Sequence, residues 1–406
     1  MDFALQAVTD AGRAFKLLCE GHEEEFFSRA SQHDRASSFP DENISALRKS
    51  GAIDCTIPVE QGGIGVTLMR DLVPGLTALG RGDGSTAIAI NMHISWTWQL
   101  ARAWRLARLK GDNQQEATIA ALLREIVTDR LIAAIVATEN GADYLHPLTR
   151  AYRDGKGWRV KGAKAFATGS PAANIFAVRC RYTDTTGHDR IGTANMRRDT
   201  PGIFVQSNWD ALGMRASGSH DILFNDCFVA EQAVIDVAPW GDLSPHLLVA
   251  VVPGLLGLTA CFLGIAEAAR GIALQEIKRR NRGDLPAIRH QVAEMEIDIC
   301  AARAVLDRGA ANADVVLNVD PVNISEDALH ALAKETQCVK WFVMRKAIDV
   351  VDCAMTVSGG SSYMSSSALS RLYRDVRAGP LMQPFSPIEA FSFIGNITLE
   401  RGASAV

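Results

Sequence analysis

The chain has 406 residues, 48% hydrophobic and 22% charged, a balance ordinary for soluble globular proteins and long enough for two or three domains. Its formal net charge of −4 argues against nucleic acid as the main partner. No apolar run reaches the roughly 18–20 uninterrupted residues that a membrane span needs, and Leu247 to Ile265, broken by Pro253 and three glycines, reads as a buried helix.

In chain order, residues 1–125 read as an all-α domain. Ala4–Cys19 carries apolar residues at helical spacing, Pro40-Asp41-Glu42 marks a helix start, and Ser85–Ala107 reads as a long central helix. Residues 126–240 change character. Leu131–Thr138, Gly157–Lys161, Ala165–Thr168, Ile175–Arg181 and Asp221–Phe224 are β-rich runs separated by turn residues, which predicts a central β-barrel or sandwich domain. Residues 241–406 return to long helices, a C-terminal four-helix bundle in expectation. Met1-Asp2-Phe3-Ala4 lacks the plan of a secretory signal. The eight cysteines form no C-x-x-C pair, which predicts reduced core thiols in a cytoplasmic protein and no metal cluster.

Four segments carry motifs. Ala137-Thr138-Glu139-Asn140-Gly141-Ala142-Asp143 precedes Val160-Lys161-Gly162-Ala163-Lys164-Ala165-Phe166-Ala167-Thr168-Gly169. Further on come Val357-Ser358-Gly359-Gly360-Ser361-Ser362-Tyr363 and Arg374-Asp375-Val376-Arg377. In this order and separation they resemble the acyl-CoA dehydrogenase superfamily, over about residues 40–395. The resemblance implies an α+β fold with helical, β and helical domains. It implies a flavin, FAD with FMN as the alternative, bound in a homotetramer or homodimer.

By that resemblance Thr138, Phe166 and Thr168 hold the flavin ring. Phe166 covers one face and keeps water off it, and Thr168 places a hydroxyl near N5, where negative charge grows on reduction. Gly359, Gly360 and Ser361 take the place of the family's dinucleotide loop. The basic run that includes Arg279 and Arg280 falls where the family presents an Arg to the pyrophosphate.

The resemblance fails at the chemistry. Nine residues beyond Arg374 the dehydrogenases carry the Glu that removes the α-proton, and here stands Gln383. A neutral amide cannot accept that proton as a carboxylate does. The other position used for the base is Leu247. The loop after Glu139 lacks the family's Gly-Ser, and Pro384-Phe385 replaces Gly-Thr.

These departures resemble the flavin-dependent monooxygenases of the same fold, which act through a flavin C4a-hydroperoxide on a small molecule and take reduced flavin from a separate reductase in some cases. In that reading His93, on the central helix, faces the flavin, and Ser95, Asn91 and Gln383 are the further candidates for the catalytic site. Two other readings stand beside it: an acyl-thioester dehydrogenase with a relocated base, and a flavin-binding protein without catalysis.

Overall fold

The computed structural model describes residues 3–399. Five helices come first: α1 (Asp10–Ala36), α2 (Asp41–Ser50), α3 (Met69–Gly82), α4 (Gly84–Lys110) and α5 (Asn113–Thr128). The first begins later than its apolar spacing suggests, because Thr9 caps it by accepting from the Gly12 N–H. The Thr9 hydroxyl also donates to Asp71 on α3 at 2.5 Å, so the cap fixes where α1 meets α3. Asp83 caps α4 by accepting from Ser85 and Thr86.

Eight strands follow: β1 (Ala133–Val136), β2 (Arg150–Asp154), β3 (Gly157–Ala167), β4 (Ile175–Thr183), β5 (Asp189–Arg197), β6 (Ile203–Val205), β7 (His220–Ala230) and β8 (Val234–Pro239). They form one sheet in the order β6-β7-β3-β2-β4-β5-β8, with β1 also paired to β4. The β1 and β2 registers occupy successive stretches of β4, so both lie between β3 and β4. The two expected runs 157–161 and 165–168 are one strand, continuous through Gly162 with irregular register against β7.

The C-terminal part holds three long helices, α6 (Pro245–Arg279), α7 (Pro286–Asn318) and α8 (Glu326–Ser358). Two short ones follow, α9 (Ala368–Val376) and α10 (Pro387–Thr398), and together they make the expected C-terminal helical domain. By length and composition Leu247–Arg279 of α6 could cross a membrane, but its apolar stretch is mostly buried inside the fold. It packs on α3, α4, α7 and α8. The α4–α6 seam is close: a Cβ on Gly257 would lie 2.0 Å from Asn91 Oδ1.

One hydrophobic core runs from Phe15 and Phe26 on α1 through Phe262 on α6 to Val343 on α8. The sheet has a second core around Phe176, Val178 and Phe224. The site lies where these bodies meet.

Candidate active site

A cavity of about 510 Å³ opens between the sheet, α4, α6 and the segment joining α9 to α10. That is a usual volume for a small-molecule site. Its walls are mostly apolar, with Ile88, Met92 and Trp96 from α4 and Ala250, Val251 and Leu255 from α6.

Phe166 stands in this cavity because the backbone turns it there. The β3–β7 register shifts between Lys164 and Ala167, and Phe166 sits at φ +57°. A bulky side chain rarely adopts that left-handed conformation, which costs about 1–3 kcal/mol. Phe166 is 55% exposed, and its ring meets Trp209 edge to face at 5.8 Å. Two residues on, Thr168 bonds Ser219 through their hydroxyls at 2.9 Å, and Ser219 bonds Ser217 at 2.7 Å. All three line the cavity, so a chain of hydroxyls borders the Phe166 wall.

A buried ion pair holds the neighbouring strand ends. Lys164 Nζ lies 2.5 Å from Glu139, with both side chains almost fully buried, and also donates to the Ala137 carbonyl at 3.2 Å. Burial opposes charge on Glu139. Lys164 and the Thr149 N–H nevertheless hold the Glu139 carboxyl below its usual range. The Thr138 carbonyl accepts from the Ala165 N–H at 2.9 Å. Thr138 therefore reaches the cavity from a fixed backbone.

Gln383 lines the opposite wall. Its segment is tied down by Lys340 on α8, which is 2% exposed and donates to the carbonyls of Met382 and Phe385. The lining contains no aspartate or glutamate among the described residues. It contains three arginines, Arg179, Arg374 and Arg377.

The expected residues on α4 do not reach the cavity. His93 is fully buried. Its Nε2 faces the Ile53 carbonyl at 3.1 Å and its Nδ1 accepts from the Ala133 N–H at 3.1 Å. Those bonds assign a neutral ring with the proton on Nε2, and burial pushes its pKa down to about 4. His93 joins α4 to the 52–54 turn and to β1, and does not face the site. Asn91 donates to the Gly254 carbonyl at 3.1 Å and pins α4 to α6. Ser95 is buried over Gly254. The cavity face of α4 is Ile88, Met92, Trp96 and Gln99.

Arg279, Arg280, Gly359, Gly360 and Ser361 also lie outside the lining. Arg280 gathers part of this set, donating to the Ser358 carbonyl at 3.1 Å and to Ser361 Oγ at 2.8 Å. Arg279 pairs with Glu276 at 2.7 Å on the surface. Trp209, Ser219, Tyr144 and Arg179 line the cavity without having been singled out. Two had a visible signal: a tryptophan in the polar run Ser207-Asn208-Trp209-Asp210, and a charged Arg179 between Val178 and Cys180 in a buried strand.

Fold and cavity define an oxidoreductase of the acyl-CoA dehydrogenase type. The acyl-CoA dehydrogenase N-terminal domain matches residues 17–104, the middle domain residues 134–227 and the C-terminal domain residues 254–383. The chain belongs to the acyl-CoA dehydrogenase superfamily. L-evernosamine nitrososynthase from Micromonospora sp. is 30% identical over 393 residues, covering 97% of this chain and 91% of that one. The structure of KijD3 in complex with FMN and dTDP-3-amino-2,3,6-trideoxy-4-keto-3-methyl-D-glucose superposes with a TM-score of 0.91 at 31% identity, covering 98% and 96% of the two chains. A putative acyl-CoA dehydrogenase, YdbM of Bacillus subtilis, is 31% identical over 372 residues, covering 88% and 89%. The expectation of an oxidising enzyme that departs from plain dehydrogenation agrees with the nitrososynthase relatives.

Proposed function

We propose that this protein is a flavin-dependent monooxygenase that oxygenates the nitrogen of a small amine, with an amino sugar as the substrate class. One observation carries the reading: Gln383 occupies the cavity wall at the family's base position, and no carboxylate lines that cavity among the described residues. Abstraction of a carbon-bound α-proton needs such a base. Oxygen transfer to an amine nitrogen does not, since the nitrogen lone pair is itself the nucleophile. The nitrososynthase relatives support the choice of nitrogen.

The residues present fit a flavin, FMN or FAD. Phe166 is held against the cavity in a backbone conformation that costs free energy, which is expected where a ring wall is needed. When bound, a reduced flavin supplies activated dioxygen for transfer to the nitrogen. Phe166 and Trp209 would exclude water from a bound ring. Thr168 would offer its Oγ1 to a bound ring, and its bond to Ser219 lets a proton be held or moved at that oxygen. Thr138 offers a second hydroxyl. The Gln383 amide can donate to and accept from a substrate without taking up charge.

Partners belong to the same proposal: a separate flavin reductase supplying reduced flavin, and a homotetrameric or homodimeric assembly in the cytoplasm. Eight free cysteines accord with a reducing compartment. The test supplies the protein with flavin, a flavin reductase, a nicotinamide and dioxygen, and follows candidate amino sugars by mass spectrometry. Gain of oxygen on nitrogen is the expected result. Flavin bleaching by an acyl-CoA without air, with no oxygenated product from any amine, would overturn the reading in favour of a dehydrogenase.

A further inference from the structure

Three guanidinium groups line the cavity, and two are matched by acids outside it. Arg374 donates to Asp34 at 2.8 Å, and Arg377 donates to Asp352 at 2.8 Å. Arg179 differs. It is only 7% exposed, yet its Nε and Nη1 are buried without any hydrogen-bond partner among the described residues. Its neighbour is the Tyr144 ring, whose centroid lies 4.3 Å from the guanidinium carbon. The buried carboxylate of Glu139 is committed to Lys164 and to the N–H groups of Leu148 and Thr149.

A buried cation without a counter-charge is costly, and a stacked ring offsets only part of that cost. Unpaired buried donors of this kind call for a missing acceptor. Arg179 lies on β4, opposite Thr193 of β5 in the ladder, and both line the cavity. β4 is two strands away from β3, so Arg179 is roughly 10 Å across the sheet from the Phe166 wall. The cavity thus has an aromatic and hydroxyl end and, apart from it, a cationic end.

We propose that Arg179 anchors an anionic oxygen group of the substrate, a phosphate or a carboxylate, while Tyr144 keeps the guanidinium plane in position. The inference rests on the reading of this cavity as the flavin and substrate site, and it adds a charge to the substrate class. A guanidinium suits either anion because its N–H groups form a fork that bonds two oxygens at once.

The test titrates the flavin-loaded protein with inorganic pyrophosphate and with succinate by calorimetry, for the wild type, Arg179→Met and Arg179→Lys. Flavin affinity is measured separately by fluorescence. The expected result is that Arg179→Met weakens one anion by roughly 10- to 100-fold, Arg179→Lys weakens it less, and flavin affinity stays within about twofold. Weakened pyrophosphate binding assigns a phosphate, and weakened succinate binding a carboxylate. The proposal is overturned if the wild type binds neither anion, if Arg179→Met binds both as the wild type does, or if flavin affinity falls in step with anion affinity. Should Arg179→Met not fold, Arg179→Lys alone decides, since it keeps the charge and loses the fork. A wild type that takes up no flavin would defeat the flavin reading instead, and the same titration on that protein would still report on Arg179.

Discussion

Lys340 on α8 donates to the Phe385 carbonyl at 3.0 Å and so straps down the segment that carries Gln383. A second bond, to the Met382 carbonyl, places the same ammonium on both sides of Gln383-Pro384. Burial pushes the Lys340 pKa down to about 8, and the two carbonyl oxygens supply the acceptors that a buried ammonium needs. Lys340→Met leaves both carbonyls without their donor. We expect a loss of about 2 kcal/mol in denaturant unfolding and a rise in substrate KM larger than the fall in kcat. An unchanged unfolding midpoint would show that the strap contributes nothing.

Phe166 gives a trade between stability and function. Phe166→Gly relieves the φ of +57° and should raise unfolding stability by about 1 kcal/mol. It also removes the ring wall, so flavin affinity should drop by at least about tenfold. If flavin binds the glycine variant as tightly as the wild type, Phe166 is not the flavin wall.

His93 sets a pH dependence of stability rather than of catalysis. Its folded pKa is lowered from 6.5 to about 4 by burial. Between those values the unfolded chain holds a proton that the folded chain does not, so stability rises with pH across the window and is lost as pH falls towards 4. The slope contributed is at most about 1.4 kcal/mol per pH unit. His93→Gln should flatten the unfolding free energy between these pH values and leave the pH profile of turnover unmoved. A shifted turnover profile would return His93 to the chemistry.

At Gln383 the prediction concerns charge. Gln383→Glu puts an anion into a cavity whose lining carries three arginines and no acid. We expect kcat/KM for amine oxygenation to fall roughly tenfold or more. Dehydrogenation should not appear in exchange, because Pro384 and Phe385 still shape the segment. Measurable flavin reduction by an acyl-CoA in this variant would contradict that.

The flavin's far end also makes a prediction. Arg280 already donates to the Ser358 carbonyl and to Ser361, and also pairs with Glu276. A pyrophosphate would have to compete for it. FMN and FAD should therefore bind within about tenfold of each other, and Arg280→Ala should affect both equally. A large FAD preference that Arg280→Ala abolishes would restore the dinucleotide role.

The order of helices, strands and helices was legible because the strand runs are short, β-rich and set between turn residues, as Ile175–Arg181 is. Phe166 and Thr168 were legible only through the resemblance of the segment Val160–Gly169 to the family's motif, and both line the cavity. β5 and β8 were not, since their residues Asp189, Arg190 and Asp236 are charged and form ion pairs along the ladder. The facing of α4 was also hidden. That helix is buried on nearly every side from Gly84 to Trp98, so its sequence has no polar stripe from which to read orientation. His93, Asn91 and Ser95 stood out as polar residues in an apolar helix. His93 and Asn91 are polar because each bonds another element, Ser95 Oγ is buried without a hydrogen-bond partner among the described residues, and the cavity face is made by Met92 and Trp96.

The core shared by α1, α6 and α8 has a consequence for biosynthesis. Phe15 finds its partner on α3 early, but the face of α3 at Gly80, where a Cβ would lie 2.3 Å from the Cys261 carbonyl oxygen of α6, leaves the ribosome bare, and the whole sheet must be translated before α6 arrives to cover it. The nascent N-terminal third is therefore a client for chaperones, and a chain truncated after the sheet would be an aggregating species rather than a smaller folded one.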